Sequence, residues 1–419
     1  MKLRACGAQQ RIAADTDMVD QTLAKYLNEL RILTMLRTQG PASRADIARG
    51  LGVTPATITR LVNGLMARDL VNEARKLTKA KSASREPGRP AGQVSLNREG
   101  AFFLGVEIGV GMVRFAMIDL LSRVVESSEV VVARDISPAE AVTVISDYLE
   151  TCKNQVRYKE KIQSVGVTVP GIVTSNGFVI NLPILGWKSV DFLGELSRSV
   201  TLPCIVENDA NAAAFGAVYT QPNLPSICTI FLKLGAGCGG AAIVNGRLLR
   251  GANGAAGEFG HIRLADNGSQ CSCGQKGCLE SWVNFGALAR SYRGTDDLSE
   301  AEFANLSAEV AAAAAHGEAK AAATVNDFVH WLGLGIVSLV NLFNPSTMIL
   351  GGEMGPLLEF SLQNIRDAVQ KGIVSGLPVP DVRLSELGKF ECAIGAATIA
   401  HHHAFDISRV EISENELQA

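Results

Sequence analysis

The sequence predicts an α/β body of two related lobes that carries a winged helix-turn-helix head. Three observations predict it. From Phe102 onward, apolar strand-like runs alternate with helical stretches, the signature of an α/β fold. Two glycine turns of similar build, Gly109–Gly111 and Gly235–Gly240, each lie between apolar runs, which hints at two lobes of common design although no repeat period is exact. From Leu23 to Val71 the pattern is helical throughout, with cap residues, and residues 1–98 have a basic balance.

The head separates from the body first by charge. Residues 1–98 carry 17 Lys and Arg against 8 Asp and Glu, a net of +9, while the remainder carries 22 against 34, a net of −12. A basic head on an acidic body points the head at a polyanion. A first helix stops at Gly40–Pro41. Ser43 caps a second, with Asp46 at its third position in a capping-box arrangement, and Gly52 ends it. Thr54 caps a third, with Pro55 at its first position. Two short helices joined by "LGVT" form a helix-turn-helix. On the third helix Ile58, Leu61, Val62 and Leu65 supply the packing face. Thr57, Thr59, Arg60 and Asn63 are polar and suit base edges and phosphates in a major groove. "LVNEARK" and "GQVSLN" read as strands around a basic, Ser-rich wing, in which Gly88-Arg89-Pro90 can extend Arg89 toward a narrow minor groove. The expected bounds are 1–84 for the winged helix-turn-helix domain and 85–98 for a basic linker.

Composition excludes several classes. At 47% hydrophobic and 19% charged residues the chain reads as globular rather than disordered, and its length admits two or three domains. The first residues contain no apolar core of signal-peptide length. The longest apolar stretch, 331–343, is too short and too glycine-rich to cross a bilayer and reads as a buried helix. Nine cysteines, three of them within 271–278, do not form a disulfide pattern, and a reduced, cytoplasmic compartment fits them. Cys6, Cys152, Cys204, Cys228, Cys238 and Cys392 read as small apolar fillers. His401–His403, near the end of a helix, read as solvated.

Two segments carry chemistry. "GEFGHIRLADNGSQCSCGQKGCLE" (257–280) supplies His261, Cys271, Cys273 and Cys278. This Cys3His set closes a tetrahedral zinc shell with no open position, which makes the metal structural. Glu258 and Glu280 flank it. A metal-bound imidazole keeps a second N–H for a neighbour, and a rigid Glu-His-Glu patch suits the vicinal hydroxyls of a sugar. In "VENDANAAAFGA" (206–217), Glu207, Asn208 and Asp209 follow an apolar strand and open an Ala-rich helix, a place where α/β proteins bind ligands. Helix capping is their plainer role.

These segments, with "RGANGAAGEFGH" and "VNLFNPSTMILGG", resemble the ROK family of repressors, open-reading-frame proteins and sugar kinases. The head resembles that of its xylose, N-acetylglucosamine and Mlc-type repressors. The resemblance implies two actin-like, ribonuclease-H-like lobes around a cleft: 99–206 with 386–412, and 207–385 with the zinc motif and the sugar site. It implies a hexose held by Asn208, Asp209, Glu258, His261 and Glu280, with Asp209 as the proton-accepting base in kinase members. The phosphate turns depart from the kinase pattern. Kinases carry Asp-x-Gly-Gly-Thr and Gly-Thr-Gly; here stand Glu107-Ile108-Gly109-Val110-Gly111 and Gly235-Ala236-Gly237. Both bends persist without their phosphate-binding side chains, a severe loss for phosphoryl transfer. The expectation is a sugar-responsive transcriptional regulator, a repressor without catalytic activity. It would bind operator DNA and a sugar or sugar-phosphate effector as a homodimer or homotetramer, with structural Zn2+, a sugar-transport protein as a further partner, and no membrane insertion. The alternative is an ATP-dependent sugar kinase with a fused DNA-binding domain.

Overall fold

The computed structural model describes residues 16–74, 92–221 and 227–405; Arg89 and Cys6 lie outside them. In the head, α1 (Thr16–Gln39) stops at Gly40, whose φ of 83° is left-handed. The strand β1 (Ala42–Ser43) leads into α2 (Arg44–Leu51), where the Ser43 side chain accepts from the Asp46 N–H at 3.1 Å. Gly52 ends α2 at φ 66°. Thr54 caps α3 (Pro55–Ala67) by accepting from the Thr57 N–H. Ile58, Leu61, Val62 and Leu65 are buried, as the helical period requires. Strands β2 (Val71–Ala74) and β3 (Gln93–Leu96) pair antiparallel, and β3 also pairs with β1. β3 falls in the stretch expected to be linker; its ladder on both sides makes it part of the head's sheet.

The first body sheet begins with β4 (Phe102–Gly109), β5 (Met112–Asp119) and β6 (Val124–Val131), an antiparallel meander. Helix α4 (Pro138–Lys153) crosses to β7 (Ile162–Val169), parallel to β4. A small antiparallel sheet follows, β8 (Ile172–Val173), β9 (Val179–Leu182) and β10 (Trp187–Val190), and then α5 (Phe192–Ser199). β11 (Cys204–Asn208) adds to β7 in parallel and runs directly into α6 (Asp209–Tyr219). The strand order is β11-β7-β4-β5-β6.

The second sheet repeats the first. β12 (Cys228–Leu234), β13 (Cys238–Val244) and β14 (Arg247–Leu248) form a meander. After α7 (Glu280–Val283), α8 (Phe285–Arg293), α9 (Glu300–Ala315) and α10 (Ala319–Phe343), β15 (Thr347–Gly351) joins β12 in parallel. α11 (Gly355–Gly372) leads to β16 (Asp381–Leu384), parallel to β15. The order β14-β13-β12-β15-β16 is the same meander-plus-two-parallel topology as the first sheet. α10 is long and apolar enough to cross a membrane by length and composition alone, but Phe328, Leu332, Ile336 and Leu339 are core residues of this second unit.

The last helix, α12 (Glu391–Phe405), lies between the units. It sits directly on β4 and β7: a Cβ on Gly105 would stand 1.9 Å from the Ala393 carbonyl oxygen, and one on Gly166 2.1 Å from that of Ala396. It also crosses α6 with backbone on backbone, since a Cβ on Gly395 would lie 2.0 Å from the Ala212 carbonyl oxygen. At its far end Ala404 and Phe405 join Phe103, Leu120 and the head's Leu30, Leu33 and Leu36 in one core. His401, read as solvated, is fully buried. Its Nε2 faces the Leu120 carbonyl at 3.0 Å and its ring packs on Phe103. Burial pushes its pKa down to about 3.

Candidate functional site

His261 ends a single 3-10 turn (Phe259–His261), and the loop after it folds back through short bridges at Arg263–Cys278 and Gln270–Lys276. This fold-back gathers His261, Cys271, Cys273 and Cys278 so that their ligand atoms all lie within 4.8 Å of one another. The Cys271 Sγ is 3.3 Å from His261 Nδ1, and the Cys273 and Cys278 sulfurs are 3.7 Å apart. The edges of a tetrahedron with zinc–sulfur bonds of about 2.3 Å are about 3.8 Å long, so the donor set fits zinc in kind and spacing. With Nδ1 turned to the cysteines, the other nitrogen, Nε2, faces the Glu258 carboxylate at 3.6 Å.

Glu258 borders a shallow, open pocket with Asn208, Asn211, Gly171 and Gly240. Burial raises its pKa; His261 opposes the shift, and the charges of Glu280 and Asp209 reinforce it. The four side chains are therefore close enough to feel one another. Asn208 caps α6, accepting from the Asn211 N–H at 3.0 Å, and donates through Nδ2 to the Gly171 carbonyl. Its capping role and its place on the pocket wall coexist. Asn211 donates to Glu207 at 3.0 Å, and its buried Oδ1 has no hydrogen-bond partner. Glu207 is pinned by Arg250 at 2.6 Å.

Two of the expected sugar ligands are engaged by other protein groups. The Asp209 Oδ2 is 2.6 Å from the Lys233 ammonium. Burial works against that ammonium, but the charges of Asp209 and Glu107 outweigh it and hold the lysine well above its usual pKa. The Glu280 carboxylate accepts from Ser272 Oγ at 2.6 Å and from the Cys238 N–H at 3.2 Å. It thereby ties the cysteine loop to the second glycine turn.

The first glycine turn is a hairpin bend: Gly109 pairs with Met112 across Val110 and Gly111. Glu107 beneath it is buried, which raises its pKa against the pull of Lys233 and Arg114. Arg114 holds Glu129 at 2.7 Å and Glu107 at 3.4 Å, and reaches Glu353 at 3.8 Å. The Glu353 carboxylate lies 3.2 Å from where a Cβ on Gly235 would stand. Protein charges thus surround both turns. Lys233, Arg114 and Glu353 do not stand out as site residues in the sequence. A lysine inside the apolar strand "IFLKL" was the available signal, because a charge in a nearly buried strand needs a partner.

In the head, Thr59, Arg60 and Asn63 lie on the exposed side of α3. Thr57 is half-buried and hydrogen-bonds Thr54 Oγ1 at 2.9 Å. Arg44, not singled out from sequence, clamps Glu73 of the wing at 2.8 Å and reaches the Thr59 carbonyl at 3.4 Å, which orients α3 against β2.

The ROK family description matches residues 103–403, and the MarR family description matches residues 25–77. The xylose repressor of Bacillus subtilis strain 168 is 27% identical over 406 residues, covering 93% of this chain and 99% of that protein. A crystal structure of a ROK family transcriptional regulator, a homolog of the E. coli MLC protein, superposes with a TM-score of 0.74 at 24% identity, over 91% of this chain and 97% of that one. A ROK family glucokinase from Streptomyces griseus, in complex with glucose and AMPPNP, reaches a TM-score of 0.61 at 28% identity, over 72% of this chain and its own whole length. That kinase covers a smaller share of this chain than either the repressor or the regulator does. The fold is the ROK fold with an N-terminal MarR-type winged helix, and the chain belongs to the ROK family.

Proposed function

We propose that the chain is a sugar-responsive transcriptional repressor of the cytoplasm. It binds operator DNA through α3 and the wing, and a hexose, pentose or sugar phosphate in the cleft. The observation that carries this reading is the core shared by the head and the first body sheet, with Leu33 and Leu36 of α1 beside Phe103, Leu120 and Phe405. A head seated on the ligand-binding lobes has a physical means of sensing them.

Asn208, Asp209, Glu258, His261 and Glu280 form the sugar site, with Asp209 as a hydroxyl acceptor once it exchanges its Lys233 contact. Zinc at His261, Cys271, Cys273 and Cys278 would stiffen the wall that carries Glu258 and Glu280. Thr57, Thr59, Arg60 and Asn63 read the operator, and Arg89 enters the minor groove. The head extends through Leu96; the first lobe holds both β4–β11 and α12, and the second β12–β16. A homodimer would place two heads on a palindromic site. The kinase alternative is disfavoured by Asp209 being paired with Lys233 and by Glu353 beside the second turn, a carboxylate where phosphates would need cations.

The test uses the full chain and a duplex selected from a random DNA library. Titrations with D-xylose, D-glucose and glucose 6-phosphate should include one that weakens DNA binding by roughly tenfold or more. Arg60→Ala should weaken DNA binding without sugar. Sugar-dependent ATP turnover with Mg2+, in a protein that selects no DNA, would overturn the reading.

A further inference from the structure

Helix α6 begins and ends on functional ground. Its first turn carries Asn208 and Asp209 at the cleft; its last residue is Tyr219, about 15 Å away along 11 residues. The guanidinium of Arg37, in the last turn of the head's α1, stacks over the Tyr219 ring with its carbon 4.6 Å from the centroid. The Tyr219 hydroxyl lies 3.1 Å from His401 Nδ1. Since His401 Nε2 faces the Leu120 carbonyl at 3.0 Å, that nitrogen carries the proton and Nδ1 accepts from the tyrosine. Phe215, one turn back on α6, stacks on Tyr219 at 5.4 Å.

We infer that Tyr219 and Arg37 are the positioning residues through which sugar occupancy reaches the DNA-binding head, and that α6 with α12 is the rigid element between them. This rests on the repressor reading. At Gly216 and Gly395 the two helices meet without side chains between them, a Cβ on Gly216 lying 2.8 Å from the Gly395 Cα. A backbone-to-backbone crossing has no soft side chain to absorb a displacement. A shift of α6 at Asp209, as a sugar hydroxyl displaces Lys233, therefore carries α12 with it. Two parts of the head's seat then move together: the Tyr219 ring under Arg37, and the Ala404–Phe405 end of α12 inside the head's core. Sugar and operator then favour different placements of one element, which is the physical content of coupling between their sites.

The experiment measures a ratio in the full chain: the operator Kd with saturating sugar over that without, using the selected duplex and whichever of D-xylose, D-glucose or glucose 6-phosphate acts on the wild type. Arg37→Met keeps the stem and removes the cation; Tyr219→Phe keeps the ring and removes the hydroxyl. Arg37→Met should lower the ratio at least fivefold, toward unity, while sugar affinity by calorimetry stays within about threefold and the melting temperature is retained. The double variant should be little worse than Arg37→Met alone, because the ring contact to Arg37 and the hydroxyl contact to His401 lie in series on one path from α6 to the head. A merely structural role would lower stability and leave the ratio unchanged. A wild type that responds to sugar, with an Arg37→Met protein that responds equally, overturns the relay and leaves the repressor reading standing. A wild type whose DNA binding ignores every sugar overturns both.

Discussion

A few buried charges give this cleft its character. Glu391 opens α12, is nearly inaccessible and lies against Gly351, and burial raises its pKa to about 7. The folded chain therefore holds a proton that the unfolded chain releases above its ordinary value of 4.5. Stability from this group is present below about pH 4.5 and is lost as pH rises through 7, by up to about 3 kcal/mol. Glu391→Gln should remove that fall, measured as the difference between wild-type and variant melting temperatures from pH 5 to 8; parallel profiles would refute it. His401 works in the opposite sense, since its depressed pKa costs stability below about pH 6.5 in both proteins and cancels in the difference. Neither group was legible in the sequence. Glu391 precedes an Ala-rich helix and His401 sits in a run of three histidines, and only the packing around them distinguishes them from surface residues. Lys233 left a faint trace as a lone charge in an apolar strand, but its partner Asp209 is 24 residues away.

Elements with local causes were readable. The two short head helices and α6 start where a Ser, Thr or Asn side chain accepts a backbone N–H within three residues, and α2 stops where a glycine turns left-handed. The cysteine loop was equally readable, because its ligands fall within 18 residues and the chemistry of thiolate and imidazole limits what they hold. Cys271→Ser with Cys273→Ser should lower bound zinc from one per chain to near none by metal analysis. The same change should weaken sugar binding by roughly tenfold through the Glu258 and Glu280 wall, while a protein purified without zinc but with full sugar affinity would refute the assignment. Elements fixed by distant partners were not readable. β3 was readable as a strand in "GQVSLN", but its membership of the head was not: the linker bound ran through it, and only its pairing with β1 and β2 ties it to the head's sheet.

At the scale of the molecule, two five-stranded sheets of one topology are joined by α6 and α12. The glycine turns hinted at this duplication, but four helices are inserted between β14 and β15 where the first unit has one, which hides any period. The crossing of α6 and α12 is the mechanical centre. Gly395→Ala should destabilise the chain by about 2 kcal/mol or more, because the added methyl has backbone on its path and no space to relax into. Denaturant unfolding with a midpoint equal to wild type would contradict that crossing.

The sequence by itself determined the class of each part: a basic, capped helix-turn-helix, an α/β body, a Cys3His set, and two glycine turns without hydroxyl side chains. These follow from neighbours along the chain, where periodicity, caps and ligand spacing act over a few residues. The tertiary structure alone decided that Lys233 neutralises Asp209, that His401 is buried, and that the head shares a core with the cleft-bearing lobes. Those facts depend on residues far apart in the chain, with 281 positions between Leu120 and His401 alone, and on burial, which sets the cost of a charge and is a property of the packed chain.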